Sequence, residues 1–136
     1  VFLTFTIIED KMKYLGNAFS LGMMDDLHNG AGYSSRTIVV EGTSLEIAQK
    51  WVREGGWESI VGHADTAVLL SSMLGVEVPM RRVSTVLKDN DQVLVAQYNG
   101  PRLPEGAVSL PEGAKIRWYF VRLGKKEPYA SSDNFW

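Results

Sequence analysis

The chain has 136 residues, of which 45% are hydrophobic and 22% charged, and its net charge is −2. That is the length of one domain, at about 100–200 residues each, and the composition excludes a disordered chain, a collagen and a disulfide miniprotein. With 14 basic against 16 acidic residues it is no general nucleic-acid coat, which carries a basic surface.

In chain order, residues 1–8 (VFLTFTII) are apolar and end at Glu9-Asp10. This run is too short to span a membrane, which takes about 20 residues, and it lacks the basic start of a signal peptide. Residues 1–11 therefore read as an extra strand or an upstream extension ahead of Met12-Lys13. The domain itself reads as residues 12–124. Lys13–Asn17 predicts a short strand that ends in Ala18-Phe19-Ser20. Met23–Ser35 reads as a loop, with Asn29-Gly30 and Ala31-Gly32 as turn signals. Thr37–Glu41 is a β-branched strand. Thr43-Ser44-Leu45-Glu46 fits a capping box in which Thr43 is the cap. Leu45, Ala48, Trp51 and Val52 then share one helical face, and Gly55-Gly56 stops the helix.

A second helix is predicted from Ala64 to Leu74, with Gly75 beyond its end. Ala67, Val68, Leu70, Met73 and Leu74 make it mostly apolar, so it should lie buried against a sheet, with Ser71 and Ser72 as its polar positions. Arg82–Leu87 and Gln92–Tyr98 read as strands joined by the polar loop Lys88–Asp91. Val93-Leu94-Val95-Ala96 is apolar without a break, as in a central strand covered on both faces. Gly100–Gly113 is a Gly/Pro-rich loop with an internal echo: Leu103-Pro104-Glu105-Gly106 recurs as Leu110-Pro111-Glu112-Gly113. Ile116–Leu123 is an aromatic strand, and residues 125–136 form a polar tail. The sum is an α/β (α+β) fold, a mixed sheet of about five strands with two helices packed on it.

The absence of cysteine excludes disulfides, thiol catalysis and iron–sulfur clusters, and suits an intracellular protein. His28 and His63, the two histidines, stand in no metal-binding spacing, so no metal is expected. His28, beside Asp25 and Asp26, reads as an exposed loop residue. His63 opens the second helix, in Gly62-His63-Ala64-Asp65-Thr66. A histidine there can contact an anion at the helix N-terminus and move a proton, or it can simply cap the helix. Arg102 and Glu105 lie in the stiff loop after Gly100-Pro101. A guanidinium suits phosphate oxygens and a carboxylate can orient a histidine, but the two also suit a solvated charge pair. Asn17 and Ser20 follow a strand and face a crevice or shape a turn. Arg81-Arg82 adds positive potential or guards an edge. No P-loop, GxGxxG or GxSxG is present, which weighs against hydrolysis of a nucleoside triphosphate and against a serine hydrolase.

Taken together, YLGNAFS (Tyr14–Ser20), SIVGHADTAVLL (Ser59–Leu70), RRV (Arg81–Val83) and LVAQYNGPRLPEG (Leu94–Gly106) stand ahead of a final aromatic strand. This order resembles the viral ring nucleases, or type III anti-CRISPR proteins, from Lys13 to Leu123. The resemblance implies a homodimer in the host cytoplasm, with no cofactor and no membrane. It implies binding of cyclic tetra-adenylate and cleavage to linear di-adenylate with a 2′,3′-cyclic phosphate, which would silence type III CRISPR signalling. By position, His63 matches the catalytic histidine, Glu105 the glutamate that supports it and Arg102 the arginine on the scissile phosphate. Asn17, Ala18, Phe19 and Ser20 match a ligand-binding turn, and Gly62, Thr66, Arg82 and Gln97 match further pocket positions. The segment Ala107–Lys115 is shorter than the helical insert of some relatives. A non-enzymatic binder of a cyclic oligonucleotide, a sponge or sensor, is the alternative expectation.

Overall fold

Successive side chains of a strand point to opposite faces, so the apolar residues of the two longest strands are shared between both faces of one sheet. The structure is a computed structural model that describes residues 11–29 and 32–128. Its main elements are β1 (Lys13–Gly16), β4 (Ile38–Thr43), α1 (Leu45–Glu54), β5 (Trp57–Ser59), α2 (Ala64–Leu74), β6 (Gln92–Asn99) and β7 (Lys115–Leu123). Five strands form the mixed sheet in the order β4-β7-β6-β1-β5. β1 runs parallel to β5 and β6, and β7 is antiparallel to β6 and β4. A second, small sheet joins β2 (His28–Asn29), β3 (Gly32–Ser35) and β8 (Glu127–Pro128).

Each face of the main sheet has its own core. Leu15, Leu94, Ala96 and Trp118 pack against Ala48, Trp51 and Val52 of α1 and Ala67, Leu70 and Leu74 of α2. On the opposite face Val93, Val95, Val121 and Leu123 meet Tyr14, Met24, Ile60 and Leu87. β6 is thus the central strand covered on both sides that its unbroken apolar run predicts, with Val93 through Ala96 all buried.

The mixed α+β architecture is as expected, but one of its five strands is not. Arg82–Leu87 pairs with no strand. It crosses the surface between α2 and β6, held at its ends by Arg81 N–H to Val61 O (2.7 Å) and Leu87 N–H to Met23 O (2.8 Å). The fifth strand is instead Trp57–Ser59, three residues that pair with Lys13–Leu15. The loop predicted at Met23–Ser35 holds structure too: a 3-10 helix over Leu21–Leu27, kinked at Met24, then the β2–β3 pair. His28 is exposed there, edge-on to Tyr33. Ser44, not Thr43, caps α1. Its side chain accepts from Ile47 N–H at 3.2 Å, because the chain turns helical one residue later than a Thr43 cap requires. In α2 Leu69 is buried while Val68 is exposed. The Ser71 hydroxyl donates to Ala67 O (2.8 Å) and accepts from Val78 N–H (2.8 Å), tying down the chain beyond the helix. Gly75 ends α2 in the left-handed region at φ 74°, as predicted. The tail is polar, yet Glu127 and Pro128 pair with β3. The readings of residues 1–10 and 129–136 lie outside the described residues. Among the described residues no helix is long and apolar enough to cross a membrane.

Candidate functional site

Parallel pairing of β1, β5 and β6 brings three carboxyl-terminal strand ends to one edge of the sheet. The chain leaves each strand there through a loop without ladder bonds, which is where such sheets present groups to ligands. β1 leads into Asn17, β5 through Ile60-Val61-Gly62 to His63, and β6 to Gly100-Pro101-Arg102. The latter two loops meet in a cleft of about 400 Å³. Its walls are His63, Asp65, Thr66, Tyr98, Gly100, Pro101, Arg102 and Leu103.

His63 is the N-cap residue of α2 by its backbone (φ −130°, ψ 130°), but its side chain makes no capping bond. The imidazole is exposed at the cleft wall. Helical bonding starts with Ala67 N–H to His63 O (3.0 Å). The N–H groups of Ala64, Asp65 and Thr66 therefore have no acceptor within the helix, and together they favour an anion. The peptide before His63 is held from both sides. Gly62 N–H donates to Asn17 Oδ1 (3.4 Å), and Arg82 Nε donates to Gly62 O (3.1 Å). Asn17 and Arg82 thus act on the site through the Gly62 backbone and do not line its wall. Arg81 turns to Glu58 instead, at 3.6 Å.

The loop from Gly100 to Ala114 contains two copies of one turn. Ala107 N–H donates to Pro104 O (3.2 Å) and Ala114 N–H to Pro111 O (3.0 Å). Gly106 (φ 75°) and Gly113 (φ 81°) occupy the third turn position, where a type II turn requires positive φ. The Leu-Pro-Glu-Gly echo in the sequence is therefore a repeated β-turn, with Glu105 and Glu112 at equivalent corners. Arg102, just ahead of the first turn, is exposed to the cleft and has no ion-pair partner among the described residues. Glu105 is exposed and is not among the cleft-lining residues, and the ion pairs among the described residues do not include an Arg102–Glu105 pair.

Phe19 and Gln97 lie elsewhere. With Val40, Val95, Tyr119 and Val121 they line a smaller cavity of about 180 Å³ on the sheet face opposite α1 and α2. Ala18 and Ser20 are exposed in the same segment, and Ser20 O accepts from Met23 N–H (3.1 Å) as the 3-10 helix begins. A larger groove of about 750 Å³ borders α1 and β7, with Lys115 and Arg117 as its charged lining. No histidine or carboxylate lines it. Among the described residues no cluster of three or more His, Asp or Glu could hold a metal ion. The cleft-lining residues that sequence reasoning did not assign are Asp65, Tyr98, Gly100, Pro101 and Leu103. Alternation puts Tyr98 in step with Leu94 and Ala96, but only the fold puts the cleft on that face.

The model of the STIV B116-like family matches residues 13–120. Uncharacterized protein 26 of Sulfolobus islandicus filamentous virus (isolate Iceland/Hveragerdi) is 35% identical over 65 residues, which make up 48% of this chain and 54% of that protein. The chain thus matches about half the length of this viral relative. Among solved structures, B116 of Sulfolobus turreted icosahedral virus is similar, with a TM-score of 0.63 and 24% identity over 81% of this chain and 97% of that one. At that identity the likeness is one of fold.

Proposed function

Because the chain belongs to the STIV B116-like family, whose relatives named above are viral proteins, we propose that it is a viral ring nuclease that binds and cuts cyclic tetra-adenylate without a metal. One observation carries the reading: an unpaired guanidinium, a free imidazole and the open N-terminus of α2 converge on one cleft. In RNA cleavage the ribose 2′-hydroxyl is the nucleophile, so the protein needs none of its own. It has to hold that oxygen in line with the leaving group, stabilise the phosphate charge and supply a proton.

In this reading Arg102 binds the non-bridging phosphate oxygens through its fork, and the α2 N–H groups share the charge. The 2′-hydroxyl gives its proton to water as its oxygen bonds to phosphorus, the bond from phosphorus to the 5′-oxygen breaks, and His63 protonates that departing oxygen. The products are a 2′,3′-cyclic phosphate and a 5′-hydroxyl. Asn17 and Arg82 keep the Gly62 peptide, and with it His63, in place. A ring with near two-fold symmetry suits a homodimer that offers one such cleft per protomer. Removal of the ring would silence type III CRISPR signalling.

The position of Glu105 outside the cleft wall favours a second reading, a binder that makes no product. Incubation with radiolabelled cyclic tetra-adenylate, with and without EDTA, and thin-layer chromatography separates the two. Linear di-adenylate in both lanes supports the nuclease. Bound but intact ring supports the sponge, and no binding at all removes both.

A further inference from the structure

We infer that Tyr98 is a positioning residue of the His63–Arg102 cleft and acts through Arg102. The inference rests on the nuclease reading above. Tyr98 stands one residue from the end of β6, paired with Ile116 across the ladder, so its backbone is fixed by the sheet. Its hydroxyl donates to the carbonyl of Pro101. That carbonyl belongs to the peptide that leads into Arg102, so the phenol sets the direction in which the arginine leaves the loop.

The geometry around this bond is tight on three sides. Pro101 has a locked φ. Gly100 sits at φ 155°, and a Cβ there would stand 2.6 Å from Ala114 Cβ and 3.2 Å from the Tyr98 hydroxyl. The two ends of the loop thus approach closely at Gly100 and Ala114, beside the phenol. Arg102 itself has no ion pair among the described residues to order it. An arginine free to sample its rotamers loses side-chain entropy when fixed. The phosphate oxygens carry more charge in the transition state than in the bound ring, so a loop that already points the guanidinium at them acts on the rate of the chemical step more than on affinity. A displacement of about 1 Å in a reacting group can cost as much as 10²-fold.

Tyr98→Phe keeps the ring and removes only the hydroxyl. Single-turnover cleavage of cyclic tetra-adenylate should fall by about tenfold, while the ring's Kd and the thermal midpoint stay close to wild type. In an Arg102→Ala background the same substitution should change the rate no further, because the residue it positions is gone. A merely structural tyrosine would slow both backgrounds alike, and that result overturns the inference, as does a Tyr98→Phe variant with the wild-type rate. If wild type cuts no ring, the nuclease reading falls on that result alone. Amide hydrogen exchange then decides the hydroxyl's role separately: faster exchange at Arg102 and Leu103 in Tyr98→Phe supports the clasp, and unchanged exchange overturns it.

Discussion

His63→Ala probes the site at the scale of one side chain. Cleavage should fall by about 10²–10⁴-fold, the range that a general acid or base supplies, while the ring still binds. Single-turnover assays and a binding titration check the two halves, and undiminished cleavage would give the proton to another group. Tyr14 makes a residue-scale prediction about stability. Burial lifts its phenol above the usual 10.0, and the carboxylates of Asp91 and Glu58 push the same way against Arg81. A raised folded value means that the stabilisation is complete below the unfolded value near pH 10 and is lost as pH rises through the folded one. Urea midpoints should therefore drop above about pH 10 by more in wild type than in Tyr14→Phe. The His63 assignment began in the sequence, and the burial of Tyr14 came only from the structure. His63 stood out because it precedes a helical pattern. That its imidazole is free, and that Glu105 sits at an exposed turn corner, are matters of side-chain direction that spacing does not encode.

Among the elements, the loop after β6 is the one most open to a single substitution. Gly100→Ala places a methyl group against Ala114 in a backbone region that side chains rarely adopt. We expect a loss of about 1–3 kcal/mol in urea unfolding, with slower cleavage because Arg102 moves. A wild-type midpoint would show that the loop ends can part freely. The elements that sequence reading captured are those with a long period and clear punctuation. α2 and β6 match their predicted ranges within a residue, since Gly75 and Lys88–Asp91 mark their borders. The Lys88–Asp91 turn is built on Asp91, 1% exposed, whose carboxylate accepts from Met12 N–H (2.9 Å) and Lys88 N–H (2.8 Å). β5 escaped because three residues hold no readable period. Arg82–Leu87 looked like a strand because it is extended and partly apolar, yet extension without a free neighbouring ladder gives no sheet.

At the scale of the whole molecule, one buried cation ties distant segments together. The Arg36 side chain is 0% exposed, and its Nη2 bridges Asp26 (2.9 Å) and Asp89 (2.7 Å). Asp89 also accepts from Lys126 N–H (2.9 Å), so the 3-10 helix, the β3–β4 link, the turn before β6 and the start of the tail share one network. Arg36→Ala leaves two carboxylates without their cation and should cost about 3–5 kcal/mol in urea unfolding. Arg122→Ala breaks an exposed pair with Glu41 at 3.1 Å and should cost less than about 1 kcal/mol. Equal losses would refute the ranking by burial. No periodicity marks Arg36, because its partners lie 10 and 53 residues away. The sequence by itself determined the layered α+β class, both helices, the central strand and the two loops that carry His63 and Arg102, because each is written in short-range period and punctuation. Only the tertiary structure decided that parallel pairing of β1, β5 and β6 sets those loops side by side, and that the pleat sends Tyr98 to the cleft while Gln97 faces the opposite side. Strand order and side-chain direction are settled by which distant surfaces bury one another, and no local pattern holds that information.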